Sequence, residues 1–250
     1  MTCPSDHHRL YHDLAHLWPH LSPPEDYRAE ADRLRTVLDS HLSSDASARL
    51  SLLELGAGGG HTLHHLRDAF DCVAVDLSAK MLAHCQSLNP GMETHVGDMR
   101  DLQLGRTFDV VLIHDAIDYM LSAEDVSRAL ATAHAHLKPG GLLLVAPTYV
   151  AESFVDHDVA HDHTTIDDAP LTYFSYVHDP DPSDTTFEMI LLYLLSDAIT
   201  HQVQVIEDRH TCGLFSTDTW MSLLQGAGFD VQQDMPAGDE AWTLFIGTRP

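Results

Sequence analysis

The sequence predicts an α/β protein built on a doubly wound, mostly parallel seven-stranded sheet, with an antiparallel β insertion before the last helix. Three observations predict it. Short apolar runs alternate with helical periodicity across residues 50–146, the pattern of strands covered on both faces by crossover helices. Residues 148–212 change to longer runs of alternating character, as antiparallel strands do. One helical segment and two short apolar runs then close the chain, enough to complete the main sheet with an antiparallel edge. At 250 residues, one domain with an embellishment fits the length better than two independent domains.

Taken in order, residues 1–45 predict a helical lid, with helices over 11–18 and 26–41. Pro23-Pro24 breaks between them, and Asp26 stands where an N-cap belongs. The core, residues 46–147, carries strands near 50–55, 72–76, 93–96, 110–114 and 141–146. In the insertion, residues 148–213, the runs 171–177, 185–195 and 200–207 read as strands, divided by Asp179-Pro180-Asp181-Pro182. Its expected use is an acceptor pocket or a homodimer contact. Within residues 214–250, Ser216 caps a helix over 216–227, Gly228 ends it, and strands follow near 229–233 and 242–247.

Composition narrows the partners. Thirteen basic residues against 38 acidic ones give a formal charge of -25, so a nucleic acid or an anionic membrane would be repelled. Lys80 and Lys138 are the only lysines, and most acids are aspartates, a balance suited to high salt. Salt-dependent stability is the expectation. The first nine residues lack the features of a signal peptide and no run is long enough to span a membrane, so a cytoplasmic location is expected. Cys3, Cys72, Cys85 and Cys212 show no paired spacing and read as reduced thiols.

The chemistry begins where the first strand runs into Glu54-Leu55-Gly56-Ala57-Gly58-Gly59-Gly60. Glycines there let the backbone turn sharply and approach a ligand as a helix opens. The dinucleotide fingerprint needs a third glycine where His61 stands, which weakens an NAD reading without removing it. Asp76 ends the second strand and is placed to accept from both ribose hydroxyls. Asp98, in Gly97-Asp98-Met99-Arg100 after the third strand, is placed to accept from an adenine amino group, or to cap a turn. No lysine or arginine lies between residues 50 and 65 to meet a pyrophosphate, whereas a sulfonium tolerates an acidic surround. The charge therefore points to S-adenosyl-L-methionine.

As a set, the glycine loop, Asp76, Gly97-Asp98-Met99-Arg100, Phe108-Asp109-Val110-Val111 and Leu137-Lys138-Pro139-Gly140-Gly141 resemble the ordered motifs of class I S-adenosylmethionine-dependent methyltransferases, with their Rossmann-like fold. That resemblance implies that Glu54 and Gly56 face the methionine portion, Asp76 the ribose, Asp98 and Met99 the adenine, and His114 the edge of the reaction centre. Ala57, Gly58, Leu77 and Met81 complete the expected cofactor contacts. A finer resemblance, to bacterial N,N-dimethyltransferases of nucleotide-linked amino sugars, rests on Tyr11-His12-Asp13-Leu14, Asp26-Tyr27-Arg28-Ala29-Glu30, Glu152-Ser153-Phe154 and Asp208-Arg209-His210 with Leu214-Phe215. Between residues 142 and 250 the only arginines or lysines are Arg209 and Arg249, so a diphosphate finds few partners and a neutral or cationic acceptor is favoured.

Methyl transfer from a sulfonium is an in-line displacement in which the protein aligns and desolvates the acceptor. An amine acceptor must be neutral at the moment of attack. His114 is the first candidate base, with Asp115 and Tyr119 beside it, or else only a cofactor contact. His210 is the second candidate, since its position matches a histidine of the amino-sugar enzymes. Tyr11, Tyr27 and Arg28 are placed to close over the cofactor, with Arg28 meeting its carboxylate; Tyr11 and Tyr27 could equally be packing aromatics. Tyr173, Phe174, Tyr176 and His178 alternate along one strand, with Tyr193 and His210 expected across the sheet. Asp156, His157, Asp158, His161, Asp162 and His163 have metal-compatible spacing, but in a chain with 20 histidines a solvated acidic loop and no metal is the expectation. A nonenzymatic cofactor-binding protein is the reading from a different class.

Overall fold

A computed structural model describes residues 8–42, 49–200, 202–234 and 242–250. Cys3 and the outermost parts of the expected lid lie outside the described residues, as do 46–48 of the expected core. Seven strands form the main sheet: β1 (Leu50–Leu55), β2 (Phe70–Asp76), β3 (Glu93–Val96), β4 (Phe108–His114), β5 (Leu137–Ala146), β10 (Asp230–Asp234) and β11 (Leu244–Thr248). Their order is β10-β11-β5-β4-β1-β2-β3. All pairings among β1 to β5 are parallel, and β11 runs antiparallel to both neighbours.

Leu52, Leu53, Val110, Val111, Leu142 and Leu143 are almost wholly buried, because helices cover both sheet faces. On one side lie α2 (Arg28–His41) and α3 (His61–Leu66); on the other lie α5 (Ala123–His136) and α6 (Thr217–Gly226). The helix α4 (Ala79–Leu88) connects β2 to β3, and α1 (Trp18–Leu21) is a single turn near the start. Ser78, Ser122 and Ser216 each accept an amide of the first turn of α4, α5 and α6, so these helices start where a hydroxyl replaces the missing carbonyl.

The insertion is a separate four-stranded antiparallel sheet of β6 (Val159–Ile166), β7 (Ala169–His178), β8 (Thr186–Ser196) and β9 (Val203–Gly213). It has one strand more than the alternation suggested. Of the polar segment expected as an acidic loop, Asp156, His157 and Asp158 precede the sheet, while His161, Asp162 and His163 stand in its edge strand β6, where solvent replaces the missing partner and charged residues blunt the open edge. Register places Tyr173 opposite Tyr193, whereas His210 stands opposite Met189, in line with Val177. Tyr193 thus faces Tyr173 as expected; Tyr176 and His178 point to the other face from His210.

The N-terminal segment departs most from expectation. Residues 11–18 do not form one helix. Two 3-10 turns, Arg9–Tyr11 and Ala15–Leu17, precede α1, and a third, Pro24–Tyr27, leads into α2. Asp26 sits inside that third turn and caps nothing; Tyr27 takes the N-cap position without a side-chain bond. Tertiary contacts dominate local propensity here: Leu10, Leu14 and Leu17 bury against Leu171, Leu191 and Tyr193 of the second sheet. Among the described residues no helix is long and apolar enough to cross a membrane.

Candidate active site

The glycine loop is stitched to the end of β2. The amides of Gly56 and Ala57 both donate to the Val75 carbonyl at 2.8 Å, and Gly58 N donates to Asp76 Oδ2 at 2.8 Å. Asp76 Oδ1 accepts the Ser78 amide at 2.7 Å, so one carboxylate holds both the loop and the start of α4. Burial raises the Asp76 carboxyl, and the two amides oppose that rise. At Gly56 φ is +81°, and a Cβ would stand 2.2 Å from that of Ala116. At Gly59 a Cβ would stand 2.4 Å from the ring of His61 and 2.6 Å from Trp18 Nε1. The first glycine lets the chain cross the end of β4; the second lets the lid close onto the loop.

Above the carboxyl ends of the parallel strands lies a cavity of about 450 Å³, where ligands of such sheets bind. Tyr11, Tyr27, Glu54, Gly56, Ala57 and Gly58 line it. So do Asp76, Leu77, Asp98, Met99, His114 and Tyr119. Three expected site residues fall elsewhere. Arg28 is exposed on the first turn of α2 and does not line the cavity. The start of α2 turns it to solvent, away from the cavity. Met81 is fully buried in α4 beneath the loop, its Cε 3.8 Å from where a Gly58 Cβ would be. His210 lies behind Tyr119 and outside the lining, buried to 1% exposure.

The cofactor end of the cavity is acidic. Glu54 is buried, its Oε2 has no hydrogen-bond partner among the described residues, and burial pushes its carboxyl up to about 8. Asp98 is engaged by Arg100 through the backbone amide at 2.8 Å and the guanidinium at 2.6 Å, which holds its carboxyl below the usual range. Arg100 also pairs with Asp125 at 3.3 Å, so this one guanidinium on the cavity wall is already matched by acids.

His114 sits between two carboxylates, with Nε2 3.1 Å from Glu30 Oε1 and Nδ1 3.2 Å from Asp115 Oδ2. Burial disfavours its charge, but Asp115 and Glu30 overcome that and raise the ring to about 9. Both nitrogens lie within ion-pair distance of a carboxylate, although Glu30 Oε1 accepts no hydrogen bond among the described residues. Asp115 itself has φ +31°, an uncommon value for a residue with a side chain, at the turn where β4 meets the cavity.

At the opposite end stands a chain of hydroxyls and one imidazole. The Tyr11 and Tyr119 hydroxyls are 2.9 Å apart, and Tyr119 Oη is 2.7 Å from His210 Nδ1. His210 Nε2 lies 2.9 Å from Asp208 Oδ2. Asp208 is wholly buried and accepts the amides of Arg9 and Leu10 at 2.8 Å each. Burial would raise its carboxyl; the His210 contact and the two amides win and hold it low. The same bonds dock the first 3-10 turn onto β9, and Ser78 Oγ donating to the Tyr11 carbonyl at 2.5 Å ties that turn to the cofactor loop.

Sequence reasoning missed Trp18, Asp118, Tyr149, Phe187, Met189 and Cys212, all of which line the cavity. They come from the lid, the turn after β4, the loop after β5 and two strands of the insertion, elements far apart in sequence. Asp118 alone carried a signal, as a second acid three residues beyond Asp115 in a short turn. His61, noted only as breaking the dinucleotide pattern, is a latch: Trp18 Nε1 donates to its Nδ1 at 3.3 Å and Tyr27 stacks on its ring at 5.0 Å. A wider groove of about 880 Å³ lies at the amino ends of the strands. Its Arg49 pairs with Asp71 and its Arg106 with Glu93, and none of the expected site residues reaches it.

An unpartnered buried Glu54, Asp76 at the end of β2 and a loop without nearby arginine or lysine fit a nucleoside bearing an ammonium and a sulfonium better than one bearing a pyrophosphate. With a seven-stranded sheet whose one reversed strand is β11, these features define a class I S-adenosylmethionine-dependent methyltransferase. Residues 52–141 match the family model described as a methyltransferase domain. The chain is 31% identical over 233 residues, 91% of this chain and 87% of the relative, to the dTDP-3-amino-3,6-dideoxy-alpha-D-glucopyranose N,N-dimethyltransferase of Streptomyces fradiae. The crystal structure of DesVI from Streptomyces venezuelae superposes with a TM-score of 0.79 at 28% identity, covering 96% of this chain and 97% of that one. An amino pentose methyltransferase from Micromonospora echinaspora, solved with S-adenosylmethionine bound, gives a TM-score of 0.77 at 25% identity, covering 90% and 92%. The chain belongs to the family of these S-adenosylmethionine-dependent N,N-dimethyltransferases. It is an enzyme that transfers a methyl group to a small-molecule acceptor, and the oxidoreductase and nonenzymatic readings fall away.

Proposed function

We propose that this enzyme methylates the amine nitrogen of an amino sugar, with Tyr119 and His210 conducting the proton away from the acceptor. The observation that carries the reading is the continuity of one cavity from the glycine loop to the Tyr11–Tyr119–His210–Asp208 chain. The bound cofactor supplies a methyl carbon activated by a positive sulfur. Gly56, Ala57 and Gly58 shape its seat, Asp76 accepts from its ribose, Asp98 and Met99 border its adenine, and Glu54 meets its ammonium. Tyr11, Tyr27 and Leu77 cover it, and Met81 supports the loop from below. His114, charged and held between Glu30 and Asp115, fixes the turn that carries Tyr119 and acts as a positioning residue; as an imidazolium it has no nitrogen free to take a proton.

The acceptor arrives as an ammonium and must present a lone pair, so one N–H bond breaks: its proton passes to Tyr119 Oη as that hydroxyl turns from Tyr11, to which it donates at rest, and gives its own proton to His210 Nδ1. Asp208, which can only accept, orients His210 with Nε2–H toward itself and compensates the imidazolium that forms. A secondary amine left by one transfer fits the same geometry for a second. The acceptor is favoured as a cation: every arginine and lysine of the chain is described, and Arg100, matched by Asp98 and Asp125, is the only one on the cavity wall. The net charge of -25 argues against nucleic-acid or membrane-surface partners and favours a salt-screened setting. The outer face of the insertion, with Val159, Val203 and Val205 each more than half exposed, is where a homodimer would form.

The test is methyl transfer from S-adenosylmethionine to 3-amino-3-deoxy sugars, read by mass spectrometry with the methylated atom located by NMR. Methyl groups on nitrogen are expected. Methylation on oxygen alone would contradict the reading.

A further inference from the structure

The acceptor end holds a buried acid that the proton chain does not use. The 3-10 turn Ala116–Tyr119 places Asp118 beside Tyr119 on the cavity wall, and Asp118 is only 5% exposed. Its Oδ2 accepts the Thr148 amide at 3.1 Å, while Oδ1 has no hydrogen-bond partner among the described residues. Anchoring Thr148 needs one neutral acceptor, which an asparagine would supply. The second oxygen and the charge are unexplained by that bond, and a buried unpaired carboxyl is a cost that native structures rarely leave unanswered.

The neighbours do not answer it. Thr148 and Tyr149 come from the loop after β5, Tyr11 from the lid, and Phe187, Met189 and Cys212 from β8 and β9; none of these bears a positive charge. From β4, His114 is clamped by Glu30 and Asp115. Burial accordingly pushes the Asp118 carboxyl up to about 8. A cationic donor from outside the chain is what this oxygen lacks.

We propose that Asp118 is the anionic anchor that selects the acceptor as an ammonium, holding the nitrogen beside Tyr119 in preference to a hydroxyl at the same place. This rests on the proposed N-methylation. A hydroxyl offers one neutral hydrogen bond, whereas an ammonium holds the buried carboxyl ionised and answers its free oxygen with a charge-assisted bond. Asp118 thereby sets specificity, and Tyr119 takes the proton.

Asp118→Asn in the full chain tests this, since it keeps an acceptor for the Thr148 amide and removes only the capacity to ionise opposite an ammonium. Calorimetry with S-adenosylhomocysteine bound would compare methyl 3-amino-3-deoxyglucoside with methyl glucoside. The wild type is expected to bind the amine at least about 10-fold more tightly, and Asn to weaken the amine about 10- to 100-fold while leaving the hydroxyl compound and S-adenosylhomocysteine within about 2-fold. Asp118→Glu, which restores charge, should recover part of the preference. Unchanged amine affinity in Asn, equal loss of amine and hydroxyl binding, or no preference in the wild type each overturns the proposal. Turnover separates the two readings. If the wild type methylates the amine and Asn does so with the same KM, only the role of Asp118 fails; if the wild type methylates no amine, the N-methylation reading fails and this one with it.

Discussion

The two ends of the cavity are built in opposite ways. The cofactor end is made by consecutive strand ends of one parallel sheet, and its key acid is satisfied: Asp76 accepts from the amides of both Gly58 and Ser78. The acceptor end is assembled from the lid, a strained turn and the second sheet, and its acids are unevenly satisfied. Asp208 accepts from two amides and meets His210, whereas Asp118 leaves one oxygen without a partner. A preformed, backbone-bonded end suits a ligand that never changes. Each end also leaves one buried carboxyl oxygen without a partner among the described residues, Glu54 Oε2 at the first and Asp118 Oδ1 at the second, where a ligand's own charge can answer it.

The sharpest way to break the cofactor end is Gly56→Val. With φ at +81° and the Ala116 methyl 2.2 Å from the new Cβ, the loop must move, and S-adenosylhomocysteine affinity should fall by more than about 100-fold in calorimetry, with a stability loss of about 2–4 kcal/mol. At the acceptor end the expected signature is different. Tyr119→Phe or His210→Ala should lower kcat about 100- to 1000-fold while S-adenosylhomocysteine affinity holds. Equal losses of cofactor affinity would merge the two ends into one.

Smaller effects sharpen the boundary between them. Glu30→Gln removes one of the carboxylates that raise His114 to about 9, so its midpoint in an NMR titration should fall toward the ordinary 6.5. The sign for stability follows: the ion pairs of His114 contribute fully below 6.5 and lose that contribution as pH rises through about 9. His61 behaves oppositely. Burial lowers its ring to about 4, so the Trp18 latch contributes above the ordinary 6.5 and is lost as pH falls through about 4. Trp18→Phe should cost only about 0.5–1.5 kcal/mol in thermal unfolding, mostly above that window. Molar salt should raise the melting temperature by screening 38 acidic residues; an unchanged value would contradict the salt-adapted reading of the surface.

The same contrast explains what the sequence disclosed. Strands β1 to β5, the glycine loop and Asp76 were legible because each function sits at the end of one apolar run, within a few residues of a turn. Asp98 was legible in place but ambiguous in role, and the structure shows Arg100 on its carboxylate. The acceptor end was not legible. Phe187, Met189 and Cys212 meet Tyr11 and Tyr119 only through the register of β8 and β9 and the docking of the lid. Asp26 misled because a capping residue is a local preference, and the lid obeys the burial of Leu10, Leu14 and Leu17 instead. Arg28 stands exposed on the first turn of α2, outside the cavity lining, because side-chain direction on a helix follows its packing and not its place in the sequence.

The most direct test is a paired measurement on the wild type and Tyr119→Phe: S-adenosylhomocysteine affinity by calorimetry and N-methylation of 3-amino-3-deoxyglucoside by mass spectrometry. Two ends with separate duties predict unchanged affinity in Tyr119→Phe with methyl transfer slowed at least about 100-fold. Full-rate methylation by that variant would contradict the account.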